Sequence, residues 1–260
     1  MSQLTQFIHQ QRQQKSILAM THVVYGYPSI EESLQWMARL MAEGVDFIEV
    51  QFPFSDPVAD GPSIVAACHQ ALQQELDVET CLVQLGELAK QYPQSRMVLM
   101  SYLNPMYRYG LEKLAQRAAE ENILGIILPD LPIEQAGEFR QACQDNNIDP
   151  IWLVTPATPT DRLAMLAKQS QGFLYCVARS GVTGNSDYKS PAETSLESYL
   201  ANIKQHTKTP LGVGFGLRER QHIEQLSGQA DIAIIGSALL DAYNVGGQDN
   251  AIGLIKKLFQ

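Results

Sequence analysis

Short apolar runs alternate with longer stretches of helical periodicity along nearly the whole chain. The apolar runs occupy residues 17–24, 47–52, 97–101, 123–128, 150–154, 172–177, 210–213 and 231–235. Their lengths and flanking turn residues predict eight strands. Between them, residues 29–43 give the clearest helix. Ser29 and Glu32 form a capping-box pattern, Ile30, Leu34, Met37 and Met41 recur on one face, and Gly44 suits the helix end. Residues 111–121, 134–146, 161–168 and 218–226 read similarly, residues 4–13 predict an extra helix at the start, and residues 250–259 predict a closing one.

Eight strand–helix units without a low-complexity or linker-like segment predict one α/β domain over residues 1–260. The expected architecture is a closed TIM (β/α)8 barrel carrying an extra N-terminal helix. An open doubly wound sheet is the alternative. It is expected to carry G-x-G-x-x-G after its first strand, where this chain has Gly26-Tyr27-Pro28.

The 260 residues suit such a barrel, and 45% hydrophobic with 18% charged residues supplies a large core. A net charge of −9 argues against a general nucleic-acid surface. It leaves room for a phosphorylated small molecule, because backbone N–H groups bind phosphate without a basic patch. The start of the chain is polar and Gln-rich, and no apolar run approaches the roughly 18 residues of a membrane span. A cytoplasmic protein without membrane association is expected. Cys68, Cys81, Cys143 and Cys176 are scattered and read as reduced, buried thiols, and the dispersed histidines predict no metal site.

Barrel active sites lie at the C-terminal ends of the strands. Along residues 47–52, Ile48, Val50 and Phe52 share one apolar face, suited to packing against outer helices. Phe47, Glu49 and Gln51 share the other and point into the barrel. An inward carboxylate is costly unless it is used or paired, so Glu49 is either a hydrogen-bonded structural group or a catalytic one. Asp56 in the following loop reads as turn chemistry. Asp60, before Gly61-Pro62, fits either a turn or the same cavity.

Glycines gather at the late strand ends: Gly181 and Gly184 after the sixth, Gly214 and Gly216 at the seventh, Gly236 before Ser237 after the eighth. Such loops, with a helix N-terminus, build the recurring phosphate site of barrels. Arg179 is open to reading as a phosphate ligand or a surface charge. Tyr102, Ile127, Tyr175 and Phe215 offer an apolar, aromatic lining. The residues thus describe a barrel enzyme for a phosphorylated, partly apolar substrate, with Glu49 as its best acid/base candidate.

The run EVQFPFSDPVADGP over residues 49–62 closely resembles the signature of tryptophan synthase alpha chains. Further matches are Asn104-Pro105, Pro129-Asp130-Leu131-Pro132, the run RSGVTG over residues 179–184, Gly214-Phe215-Gly216 and Gly236-Ser237, in the right order across essentially the whole chain. The resemblance implies a lyase that cleaves indole-3-glycerol phosphate to indole and glyceraldehyde 3-phosphate, at the final stage of tryptophan biosynthesis. It implies Glu49 as catalytic acid/base and Asp60 as the second catalytic carboxylate, kept ionised to accept the indole N–H.

Tyr102, Ile127, Tyr175, Thr183 and Phe215 are implied substrate contacts, and Gly184, Gly214, Gly216, Gly236 and Ser237 implied phosphate ligands. The implied partner is a beta subunit in an α2β2 heterotetramer, with pyridoxal phosphate (PLP) in that partner and no cofactor in this chain. Departures from the family pattern are Tyr27 where Asp is usual, Val50-Gln51 where Leu-Gly is common, His22 at a typically aromatic or apolar position, and Val65 where Gln is frequent. An alternative reading is a catalytically weak alpha-like chain that mainly binds and activates the beta subunit; Glu49 and Asp60 count against it. Another phosphate-binding barrel enzyme would use a strand-end lysine, which no strand here offers.

Overall fold

The computed structural model describes residues 1–177, 195–214 and 216–260. Among these, nine short strands form: β1 (Leu18–Val24), β2 (Phe47–Gln51), β3 (Arg96–Met100), β4 (Gly125–Ile127), β5 (Asp149–Pro150), β6 (Leu153–Val154), β7 (Leu174–Val177), β8 (Leu211–Gly214) and β9 (Ile232–Ile235). All pair in parallel, in the order β5-β4-β3-β2-β1-β9-β8-β7-β6. β5 and β6 are two halves of one extended segment. Its first half bonds to β4 and its second half to β7, with Ile151 N–H donating to Ile126 O and Tyr175 N–H to Trp152 O, both at 2.9 Å. The two ends of the sheet therefore meet on residues 149–154, and eight staves close a barrel.

The alternation read along β2 sorts side chains as expected. Ile48, Val50 and Phe52 join the layer between strands and helices, with Trp36, Met37, Leu40 and Met41 of a surrounding helix. Phe47 belongs to the barrel interior, with Leu18, Met20, Val98, Phe173, Ile232 and Ile234. Burying each such side chain contributes about 1.5–3 kcal/mol. The first helix, α1 (Gln3–Arg12), plugs the N-terminal end of this interior with Leu4, Phe7 and Ile8. The four cysteines are buried free thiols.

Helix α2 (Ile30–Ala42) starts as its sequence predicts, Ser29 Oγ accepting from Glu32 N–H at 3.1 Å, and ends before Gly44 at φ +87°. Its buried face includes Met37 and Met41 but is centred on Trp36 and Leu40, leaving Ile30 and Leu34 half-buried. The chain continues through α3 (Pro62–Ala71), α4 (Val78–Gln91), α5 (Leu103–Tyr109), α6 (Leu111–Glu120), α7 (Gly137–Asp145), α8 (Thr160–Gln169), α9 (Leu196–His206), α10 (Arg220–Leu226) and α11 (Ser237–Phe259).

Helices α3, α4, α5 and α9 go beyond the sequence reading. The buried residues of α3 are mostly small, Ala67, Cys68 and Ala71 with Ile64, which blurs its period. The start of α4 was marked in the sequence by Asp77, whose carboxylate accepts from Thr80 N–H at 2.8 Å. The expected closing helix is only the second half of α11, which breaks at Gly246–Gly247, where Gly247 has φ +66°. No described helix is long and apolar enough to cross a membrane.

Candidate active site

Parallel pairing puts register partners side by side on the same face. His22 of β1 is the register partner of Glu49 of β2, and both point into the barrel near its C-terminal end. Glu49 is only 3% exposed and His22 7%. Imidazole Nδ1 stands 3.5 Å from Glu49 Oε2. Burial pushes the His22 pKa down, but hydrogen bonding to Glu49 and the charges of Glu49 and Asp60 outweigh it, and the net shift is upward.

The loop after β2 folds back so that Asp60 rejoins the strand it left. Gln51 Nε2 donates to Asp60 Oδ2 at 2.7 Å, and Tyr102 OH donates to the same oxygen at 2.9 Å. The Tyr102 hydroxyl in turn accepts from Ala59 N–H at 3.0 Å, which fixes the loop backbone. Burial raises the Asp60 pKa. His22, Gln51 and Tyr102 each pull it back down, without cancelling the rise. Asp56 does what its turn context predicts: exposed, it accepts from neighbouring Ser55 Oγ at 2.6 Å.

These groups open on a cavity of about 550 Å³. Its apolar wall includes Ile64, Met100, Ile127, Leu153 and Ile234. Tyr175 of β7 also lines it; burial, then the charges of Glu49 and Asp60, drive its phenol pKa far up. Gly214 gives that ring its space, since a Cβ there would stand 3.2 Å from Tyr175 Cε1. Gly216 takes φ +61°, the left-handed region that favours glycine. Gly236 caps α11, and Ser237 and Ala238 form its first turn, so amide groups free of intrahelical partners face the same cavity. A helix N-terminus of this kind receives anions.

Eight of the residues singled out in the sequence line this one cavity: Glu49, Asp60, Ile127, Tyr175, Gly214, Gly216, Gly236 and Ser237. Tyr102 stands behind the wall instead, fully buried and bonded to Asp60. Thr183, Gly184, Phe215 and Arg179 lie outside the described residues. Sequence reasoning did not anticipate Thr155, Pro129 or Leu217 in the wall, and it noted His22 only as a departure. Thr155 directly follows a strand, which was its available signal.

Of the buried polar atoms without a hydrogen-bond partner among the described residues, Glu49 Oε2 and His22 Nε2 belong to residues lining the cavity, and Gln51 Oε1 lies two positions along the strand from Glu49. Buried polar atoms are nearly always paired, so their grouping beside one cavity marks a place built to meet a polar ligand. No lysine or arginine lines it among the described residues. The arrangement offers two carboxylates for proton transfer, an apolar wall for a ring and an anion-receptive helix end.

Comparisons with known proteins agree with this geometry. The family described as tryptophan synthase alpha chain matches residues 8–258. A relative so named from Desulforapulum autotrophicum is 39% identical, over 91% of this chain and 92% of its own length. Another from Syntrophotalea carbinolica is 36% identical, over 94% and 95%. Among solved structures, tryptophan synthase of Mycobacterium tuberculosis superposes with a TM-score of 0.90 at 32% identity, covering 99% of this chain and 96% of that one. A tryptophan synthase complex from Pyrococcus furiosus gives 0.80 at 28% identity, covering 93% and 96%.

Proposed function

The chain belongs to the tryptophan synthase alpha chain family, and from that premise we propose that Glu49 and Asp60 carry the cleavage of indole-3-glycerol phosphate in this cavity. The chain is a lyase of that family, forming indole and glyceraldehyde 3-phosphate. One observation carries the assignment of residues. Glu49 is 3% exposed, lines the cavity beside Asp60 and keeps Oε2 without a hydrogen-bond partner among the described residues.

The reaction needs one proton delivered and one removed. Protonation of indole C3 turns the ring into a leaving group and places positive charge on the ring nitrogen. Loss of the proton from the adjacent glycerol hydroxyl then forms the aldehyde as the C–C bond breaks. The bonding pair returns to the ring and neutralises it. Glu49 as the acid gives the first proton and as the base takes the second, so the carboxyl group ends as it began. Asp60, oriented by Gln51 and Tyr102, accepts the indole N–H and offsets the charge that develops on nitrogen.

Met100, Ile127 and Leu153 supply an apolar wall for the indole ring, with Tyr175 beside Glu49. Gly214, Gly216, Gly236 and Ser237 hold the phosphate against the start of α11, with Gly184 added from the sequence resemblance. Thr183 and Phe215 are assigned to the substrate on the same ground. The chain acts as one barrel domain in the cytoplasm and pairs with a beta subunit in an α2β2 assembly. It uses no cofactor of its own, and PLP belongs to the partner. The tryptophan synthases from M. tuberculosis and P. furiosus among its structural relatives support that pairing.

The test is indole release from indole-3-glycerol phosphate by the purified chain, with and without a beta subunit, for wild type and Glu49→Gln. Wild-type release that the beta subunit strengthens and Glu49→Gln abolishes is expected. No release from wild type in either condition overturns the assignment.

A further inference from the structure

The His22–Glu49 pair is not part of the acid/base scheme above, yet it stands at its centre. Register brings the two side chains together: Met20 pairs with Phe47, His22 with Glu49, Val24 with Gln51. Within the barrel both are almost wholly excluded from water. Nδ1 faces Glu49 Oε2 at 3.5 Å, while Nε2 has no partner among the described residues although His22 lines the cavity. An imidazole in such a place needs a reason, since an apolar side chain would fill the position without desolvating two ring nitrogens.

The surrounding groups supply it. Glu49 and Gln51 come from β2, Asp60 from the loop behind it, Tyr102 from the loop after β3 and Tyr175 from β7; the Cys68 thiol of α3 lies within range of the Asp60 charge. Two of these groups become anionic and none is cationic. Among the described residues lining the cavity, His22 is the one side chain able to take a positive charge near neutral pH. We propose that His22 is a positioning residue for Glu49, its Nδ1 edge standing against Oε2 and fixing the direction in which that carboxyl group meets the substrate. The upward shift of the ring relative to a free histidine agrees with this. The inference rests on the assignment of Glu49 as acid/base.

The consequence is a carboxyl group kept in one orientation toward the substrate: parallel register fixes where the ring stands, and the ring borders Oε2, the oxygen left free for proton transfer.

Two measurements test this separately from the reaction itself. In the substrate-free chain, 15N NMR of the histidine rings followed against pH should show His22 titrating above about 6.5, the value of a free imidazole. Glu49→Gln should bring that midpoint down by about one unit or more. The second measurement is kcat and KM for wild type, His22→Phe and His22→Asn. Both variants should lower kcat by about 10-fold or more with KM little changed, as misplacement of a reacting group does. His22→Asn, which keeps an amide where Nδ1 stood, should retain more of kcat than His22→Phe.

A merely packing role would lower stability and leave the kcat of the folded protein unchanged. An unchanged kcat in both variants, or a ring that stays neutral down to pH 5 and ignores Glu49→Gln, overturns the proposal. If the NMR result holds while wild type releases no indole, the pair exists and the assigned reaction fails. If release depends on Glu49 while His22 proves indifferent, the reaction stands and this inference falls. Should His22→Phe not fold, His22→Asn and the NMR titration still decide.

Discussion

Gln51 and Asp60 are nine positions apart and share one hydrogen bond of 2.7 Å, from the last residue of β2 to the loop that leaves it. That bond closes the loop on its own strand and aims the Asp60 carboxylate at the cavity Glu49 lines. Gln51 thus adds a donor to this carboxylate. Gln51 also opposes the burial that raises the Asp60 pKa. Gln51→Ala should therefore raise that pKa further and weaken the binding of charge developing on the indole nitrogen. A hydrogen bond to a charged group is worth about 1.5–3 kcal/mol, and Tyr102 remains to hold the carboxylate, so kcat should fall about 10-fold. The check is steady-state kinetics across pH 5–8. An unchanged kcat would mean that Asp60 is held by Tyr102 alone.

Tyr102→Phe takes away two bonds at once. Asp60 loses one donor, and the Ala59 N–H loses its acceptor. A hydrogen bond to a charged group is worth about 1.5–3 kcal/mol and an ordinary one about 0.5–1.5 kcal/mol, so both stability and activity should drop. The two losses are separable, because a chemical denaturation curve reads the first and kcat well below the melting range reads the second. Normal activity in a destabilised variant would limit Tyr102 to holding the loop.

The strands and the inward face of β2 were legible in the sequence because a strand buried on both sides is written locally. Short apolar runs mark it, and alternation assigns each residue a side. The cavity residues were legible wherever a strand end carried a residue costly to bury, as at Glu49, or a glycine before a helix, as at Gly236. The bond of Tyr102 to Asp60 was not legible, because the two are 42 positions apart and only the path of the loop brings them together. His22 was readable as an oddity but not as a partner. Pairing it with Glu49 requires the register of two parallel strands, which no single segment contains. Helix α3 escaped notice because its buried face of small side chains makes a weak period.

Gly214→Ala should act on catalysis through a neighbour. The added Cβ would press on Tyr175 at 3.2 Å from Cε1 and 3.3 Å from the hydroxyl, tighter than ordinary contact. Tyr175 is half-buried and lines the cavity, so the ring can yield only into the space the substrate would fill. Overpacking of this kind costs about 1–3 kcal/mol. The expected result is a kcat lowered several-fold with a raised KM, because the same residue borders the phosphate end. A variant with wild-type constants would show that the ring yields easily and that Gly214 serves only the strand.

Asp149 sits at the other end of the barrel, only 2% exposed, with Oδ2 unpartnered among the described residues. Burial raises its pKa to about 6, partly opposed by Ser2 and the chain's amino terminus. The folded chain thus holds this proton more tightly than the unfolded chain, whose carboxyl titrates near 3.8. Below the lower value both states are protonated and the group costs nothing. As pH rises from 3.8 towards 6, the unfolded state gains the advantage of ionising first, and stability falls. Above 6 the penalty is constant, about 3 kcal/mol for a two-unit rise. Asp149→Asn should remove it, raising the melting temperature at pH 7 by several degrees while leaving it nearly unchanged at pH 4. Thermal unfolding of both proteins from pH 4 to pH 7.5 measures the difference directly. A stabilisation that does not vary with pH would show that the amide improves packing and that the carboxylate's charge was never the cost.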